Sequence, residues 1–258
     1  MSGNVRLSIE EGIAIITLDA PPFNLISREM TAALDDVLGQ CDENPAVRVL
    51  IMRGAGERAF CGGSDIKEFP AMMKPRAVIE HKLRYENLVY SKLADFRAPT
   101  IAAVDGLALG GGLELAACCD FIIAAEGVPL GLPETRLGIF PGSGGTVRVT
   151  RRIGPSRAKQ MIFLGDAVPT DTALAWGLVD WVVRKDDVQA ESRRLAVRLA
   201  NASASGLSLA KRAIADTLDH PEAVALNDVL DLMDRAFCSA DAKEGVSAFI
   251  AKRKPSFR

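Results

Sequence analysis

Short apolar runs alternate with amphipathic stretches along the N-terminal part of the chain, and that alternation limits the fold more than any other feature. VRLSI and IAIITLD flank a Glu-Glu-Gly turn and predict a hairpin. SREMTAALDDVLGQCDE carries apolar residues at helical spacing, with Ser27 placed to cap its N-terminus. VRVLIMRG, TIAAVDG and DFIIAAE read as strands, and KPRAVIEHKLRYENLVYSKLADF as one long charged amphipathic helix. A strand, loop and helix in repetition predict an α/β domain with both sheet and helix layers. From PSRAKQMIFLG onward the pattern is mostly helical, interrupted by the strand-like GLVDWVVR, and after Asp186 only helical patterns remain. The apolar stripes of AVRLA, LSLAKRAIADTL and LNDVLDLMDRAF fit either an intramolecular core or a subunit interface.

Composition excludes several classes. The chain has 258 residues, 48% hydrophobic and 25% charged, which is ordinary for a globular protein able to bury a large core. Its 31 basic and 33 acidic residues leave a net charge of −2 without a long basic run, so no nucleic-acid partner is expected. No apolar run is long enough to predict a membrane span. The N-terminus enters strand-like sequence directly, without the features of a secretory or transit segment. The five cysteines form no C-x-x-C pair and read as buried thiols of a reducing compartment. A cytoplasmic protein is expected.

The glycines invite nucleotide readings that fail. G-x-G-x-x-G does not fit residues 106–112 or 142–147, no Gly-Lys-Ser/Thr follows Gly138, and neither Ser64 nor Ser143 sits in G-x-S-x-G. His81 and His220 read as surface and turn residues. Without a Cys/His or carboxylate cluster at ligand spacing, no metal is expected.

Glycine-rich backbone and carboxylates remain. LALGGGLELAACCD places Gly110, Gly111 and Gly112 immediately before a helix that carries Glu114 in its first turn. A glycine triplet is costly in backbone freedom, so bare backbone is needed there. A tight strand-to-helix turn would also explain it, and helix-dipole stabilisation would explain an early Glu114. Pro133-Glu134 has the form of a helix start.

Three stretches taken together resemble the enoyl-CoA hydratase/isomerase family, also called the crotonase superfamily. They are ERAFCGGSDIKEF (57–69), DGLALGGGLELAACCD (105–120) and PLGLPETRLGIFPGSGGTVRVTRRIG (129–154), and the resemblance extends to the ending EGVSAFIAKRKPSF. It implies an α/β fold: a crotonase-like spiral of ββα repeats over residues 1–195 and a C-terminal helical trimerisation segment over 196–258. It also implies an oxyanion hole from the Ser64 and Gly111 amides, the latter at a helix N-terminus that favours negative charge. Glu114 and Glu134 match the two catalytic glutamates of members that hydrate enoyl-CoA. Gly62, Gly63, Asp65, Ile66 and Lys67 match the part that meets the CoA arm. Phe249 and Lys252 match residues that reach CoA from a neighbouring subunit, although a solvated basic tail explains Lys252 and Lys254 as well. The stretch from Phe69 to Tyr90, with Met72 and Met73, would line the acyl pocket.

The resemblance thus implies an enoyl-CoA hydratase that adds water across the C2=C3 bond. Its substrate is an acyl-CoA thioester, its assembly a homotrimer or homohexamer, and it uses no cofactor beyond the CoA of the substrate. An enoyl-CoA isomerase, another acyl-CoA lyase or hydrolase of the same fold, and a non-catalytic acyl-CoA binder remain alternatives, since fold does not fix chemistry. Relatives often read Ala-Gly-Ala-Asp where this chain has Gly62-Gly63-Ser64-Asp65. A backbone donor tolerates that change.

Overall fold

A computed structural model describes residues 5–257. The N-terminal hairpin forms as expected, with β1 (Val5–Glu10) antiparallel to β2 (Ile13–Leu18). Ser27 caps α1 (Arg28–Glu43), its hydroxyl accepting the Met30 N–H at 3.2 Å. The chain then repeats a unit of two strands and a helix. β3 (Val49–Gly54) enters a large sheet, β4 (Ala59–Cys61) a small one, and α2 (Arg84–Ala94) follows. β5 (Thr100–Val104), β6 (Leu107–Leu109) and the short α3 (Gly111–Ala116) repeat the unit. β7 (Phe121–Ala125) and β8 (Leu130–Gly131) lead to α4 (Thr150–Leu164), which is kinked at Gly154 before Pro155. The rest comprises α5 (Thr170–Trp176), β9 (Trp181–Val183), α6 (Val188–Ala200), α7 (Ala204–Asp219), α8 (Glu222–Phe237) and α9 (Ala240–Ile250).

Among the described residues the large sheet has the order β1-β2-β3-β5-β7-β9 and the small sheet β4-β6-β8. All pairings except the hairpin are parallel. Successive units therefore wind as a spiral, each placing one strand in each sheet. Parallel strands covered on both faces carry unbroken apolar runs. β5 is buried at every position, and β3 at every position but Arg53. α6 lies on β3, β5 and β7 and runs through residue 195. α7, α8 and α9 pack on one another, tied to the sheet by the Lys211–Asp120 ion pair at 2.9 Å.

The single long helix expected over 74–96 is not uniform. Arg76 takes φ 66°, and a π-helical turn, Ile79–Leu83, precedes α2. Pro75 also keeps Lys74 out of the helix, because the residue before a proline is pushed out of helical geometry. Cys41, Cys61, Cys118 and Cys119 are buried thiols, while Cys238 is exposed. No helix among the described residues is long and apolar enough to cross a membrane.

Candidate active site

The small sheet ends at the site. Asn24 fixes the approach to it: its side chain accepts the Ala20 N–H at 3.0 Å and donates to the Ala59 carbonyl at 2.9 Å. The chain beside Asn24 then pairs with the residues after β4. Gly62 N–H donates to Phe23 O at 2.7 Å, Ile26 N–H to Gly63 O at 2.8 Å, and Asp65 N–H to Ile26 O at 3.0 Å. Extended backbone alternates its polar groups, so the Ser64 N–H faces away from Ile26. On that side lies Gly111, delivered by β6, which pairs with β4 and ends two residues earlier.

The glycines of the triplet have different reasons. Gly110 turns the chain from strand to helix at φ 53°. Gly112 packs against the end of β4, where an added Cβ would lie 2.2 Å from the Cys61 carbonyl oxygen. At Gly111 an added Cβ would meet only ordinary contacts, 3.5 Å to Ser64 Oγ and 3.6 Å to Ser64 N. Packing within the chain therefore demands no glycine at 111. The Gly111 carbonyl accepts the buried Tyr90 hydroxyl at 3.0 Å, which fixes the orientation of its peptide. Among the described residues, neither the Ser64 N–H nor the Gly111 N–H donates to an acceptor in the chain.

Glu114 is 2% exposed and lies in the first turn of α3, two residues after the triplet. Its Oε1 accepts two backbone N–H groups, Ser143 and Gly145, both at 2.8 Å. Burial pushes its carboxyl up to about 8; the two amides oppose the rise, and the charges of Glu134 and Glu86 add to it. Glu134 opens a 3₁₀ turn, Glu134–Leu137, and burial raises its carboxyl too. Its Oε1 lies 3.2 Å from the position of a Cβ on Gly110, and its Oε2 is buried without a hydrogen-bond partner among the described residues. Glu134 thus reaches from the far wall to the turn that presents the Gly111 amide.

Two cavities meet here. One, of about 320 Å³, is lined by Gly62, Gly63, Ser64, Ile66, Gly111 and Arg136 among others. The other, of about 620 Å³, contains Glu114 and is walled by Phe69, Met72, Met73, Lys82 and Phe140 among others. Ser64, Phe69, Glu134 and Ile139 border both, so the two form one cleft with the unpartnered amides and Glu134 at the junction.

The profile of the family described as enoyl-CoA hydratase/isomerase matches residues 8–258. The chain belongs to the enoyl-CoA hydratase/isomerase family. It is 35% identical to the crotonyl-CoA hydratase of Syntrophomonas wolfei, over 98% of this chain and 97% of that protein. It is likewise 35% identical to the short-chain-enoyl-CoA hydratase of Clostridium acetobutylicum, over 97% and 96%. An enoyl-CoA hydratase structure from Geobacillus kaustophilus superposes with a TM-score of 0.93 at 38% identity, covering 99% of this chain and 98% of that one. The spiral is the crotonase fold.

For this member of the enoyl-CoA hydratase/isomerase family, the sequence singled out residues that the fold gathers unequally. Gly62, Gly63, Ser64, Ile66, Gly111, Glu114 and Glu134 line the cleft. Asp65 turns away and caps the next 3₁₀ turn, accepting the Lys67 N–H at 3.0 Å. Lys67, Phe249 and Lys252 are exposed and do not border either cavity of this single chain. Three features were not singled out in the sequence, although two of them fall in the stretch Phe69–Tyr90 expected along the acyl pocket. They are the Tyr90 hydroxyl on Gly111, Arg136 in the first cavity, and a buried Lys82–Glu86 ion pair at 3.0 Å. Tyr90 and Glu86 sit on a helix that reads as charged and amphipathic, and only its packing shows that both are on the buried face.

Proposed function

We propose that the chain is an enoyl-CoA hydratase that adds water across the C2=C3 bond of a 2-enoyl-CoA. The observation that carries this reading is the convergence of Glu114, Glu134 and two unspent backbone N–H groups on one cleft. The thioester oxygen accepts from Ser64 and Gly111. As hydroxide character adds at C3, negative charge moves from the double bond onto that oxygen as an enolate. Preorganised donors aimed at such an oxygen contribute about 2.7–4 kcal/mol each.

The carboxylates divide the proton work. Burial raises both, so the pair retains a proton more readily than exposed carboxyls do, and hydration uses the form with Glu114 ionised and Glu134 protonated. Glu114 has its Oε1 committed to two amides, which fixes the orientation in which Oε2 meets the water. In its ionised form it takes the proton from water as the oxygen bonds to C3. Glu134, whose Oε2 lacks a partner, delivers a proton to C2. The larger cavity receives the acyl chain and the smaller one the thioester and the pantetheine arm, with Gly62, Gly63 and Ile66 along that arm.

Assembly into a homotrimer or a hexamer of two trimers is part of the same reading. Phe249 at 85% exposure and Ile250 at 75% leave apolar surface on α9 that an isolated chain would not keep in water. In an oligomer Phe249 and Lys252 would meet a neighbour's CoA.

Loss of conjugated-thioester absorbance with crotonyl-CoA tests the activity. Both Glu114→Gln and Glu134→Gln are expected to lower kcat by about 10²–10⁴-fold. If crotonyl-CoA persists while a 3-enoyl-CoA is converted to its 2-enoyl isomer, the hydratase reading fails. A double-bond isomerase using Glu134 alone then replaces it, and Glu114→Gln would retain much of that activity.

A further inference from the structure

Away from the end formed by Ser64, Glu114, Glu134 and Ser143, the wall of the larger cavity is apolar over Phe69, Met72, Met73, Val78, Leu83 and Phe140, with one exception. Lys82 stands among them, its side chain only 9% exposed, within the π-helical turn Ile79–Leu83. π-Helical turns are rare and concentrate at functional sites. The Lys82 ammonium lies 3.0 Å from Oε2 of Glu86, itself 1% exposed one turn further along the helix. The contact is an ion pair without hydrogen-bond geometry, since neither Glu86 oxygen accepts a hydrogen bond among the described residues. Lys82 makes no other polar contact there.

A lysine ammonium carries three N–H donors and no acceptor. Here its charge is balanced while its donors remain unspent beside the space where an acyl chain lies. Stability does not account for the pair, because well-packed apolar residues of similar volume are often as good or better than a buried ion pair. Charge decides which ligand fits. Glu86 already offsets Lys82, and the Glu114–Glu134 pair adds negative charge to the same cavity. A further carboxylate would be repelled, whereas a neutral oxygen would accept a charge-assisted hydrogen bond without changing the balance.

We propose that Lys82 is a recognition point for the acyl chain, selecting thioesters whose distal part carries a neutral oxygen acceptor: a hydroxyl, keto or ether oxygen. The cavity of about 620 Å³ is ample for such a chain. This proposal rests on the acyl-CoA reading of the cleft.

The test is calorimetric titration with saturated six- and eight-carbon acyl-CoAs that are unsubstituted, ω-hydroxylated or ω-carboxylated, alongside crotonyl-CoA turnover. The wild type should bind one ω-hydroxyacyl-CoA about tenfold more tightly than its unsubstituted counterpart, and the ω-carboxyl form no more tightly than the unsubstituted one. The doubly substituted Lys82→Met, Glu86→Leu protein leaves no orphaned charge and should bind all three alike. Should it fail to fold, Lys82→Gln keeps N–H donors and should retain part of the preference. Equal affinities in the wild type at both lengths, preference for the carboxyl form, or a preference that survives in the double variant would each overturn the proposal. Absent turnover with the hydroxyl preference intact would sink the hydratase reading alone. No thioester binding would sink both.

Discussion

Gly145 holds the Glu114 carboxylate with its amide and would crowd it through any side chain. The N–H donates to Oε1 at 2.8 Å, and an added Cβ would lie 3.0 Å from both that oxygen and Glu114 Cγ. Pro141 Cβ blocks retreat at the same 3.0 Å. Gly145→Ala therefore displaces the carboxylate without removing it. Misplacement of a catalytic group by about 1 Å can cost on the order of 10²-fold in rate. The shift needed here is a few tenths of an ångström, so the expected result is a several-fold fall in kcat with KM changed much less, read from initial rates. Unchanged kcat would mean that the position of Glu114 is not critical.

The glycine triplet separates packing from chemistry. Gly112→Ala forces a Cβ into the Cys61 carbonyl and should unfold or strongly destabilise the chain. Gly111→Ala has room and lies in helical backbone, where alanine is favoured by roughly 0.5–1 kcal/mol. Its melting temperature should hold or rise while activity drops at least tenfold, because the methyl group crowds the oxygen that the amide receives. Full activity in Gly111→Ala would remove that amide from the mechanism.

Tyr90→Phe leaves the buried Gly111 carbonyl without its hydroxyl donor. Orphaning a buried acceptor costs about 1–3 kcal/mol. Denaturant unfolding should show a loss in that range, and kcat/KM should fall because the Gly111 peptide is freer to rotate. Stability lost with kinetics unaltered would confine Tyr90 to packing.

The raised Glu114 carboxyl links stability to pH. The folded chain keeps this proton until about 8, whereas the unfolded chain releases it near the ordinary 4.5. Between these values the native state binds more protons, so stability falls as pH rises and levels off above 8. At about 1.36 kcal/mol per pKa unit the contribution is at most about 5 kcal/mol. Glu114→Gln cannot ionise and lacks this decline. Its melting temperature should gain on the wild type between pH 5 and 8; parallel curves would contradict the burial-driven rise.

How much of this was legible in the sequence depends on the range of the interaction. The hairpin, the Ser27 cap and the apolar runs of β3, β5 and β7 are local patterns and read directly. The cleft glycines and both glutamates were visible because three motifs occur in order, although no motif states that Gly111 alone has spare room. The π-helical turn at Ile79–Leu83 was hidden, since one widened turn leaves a helical periodicity nearly intact. Glu86 was hidden for a related reason: a charged residue in an amphipathic helix reads as solvated until segments distant in sequence cover it.

The two amides at the junction of the cleft hang from adjoining strands of the small sheet, while the wall of the larger cavity comes from segments outside that sheet. Activation of the thioester and choice of the acyl group are therefore built from separate stretches of chain. Substitutions along Phe69–Leu83 can retune what is accepted without shifting the spacing of the donors. A scaffold divided in this way can diversify its substrates at little cost to its reactivity, and Lys82 lies on the half that is free to vary.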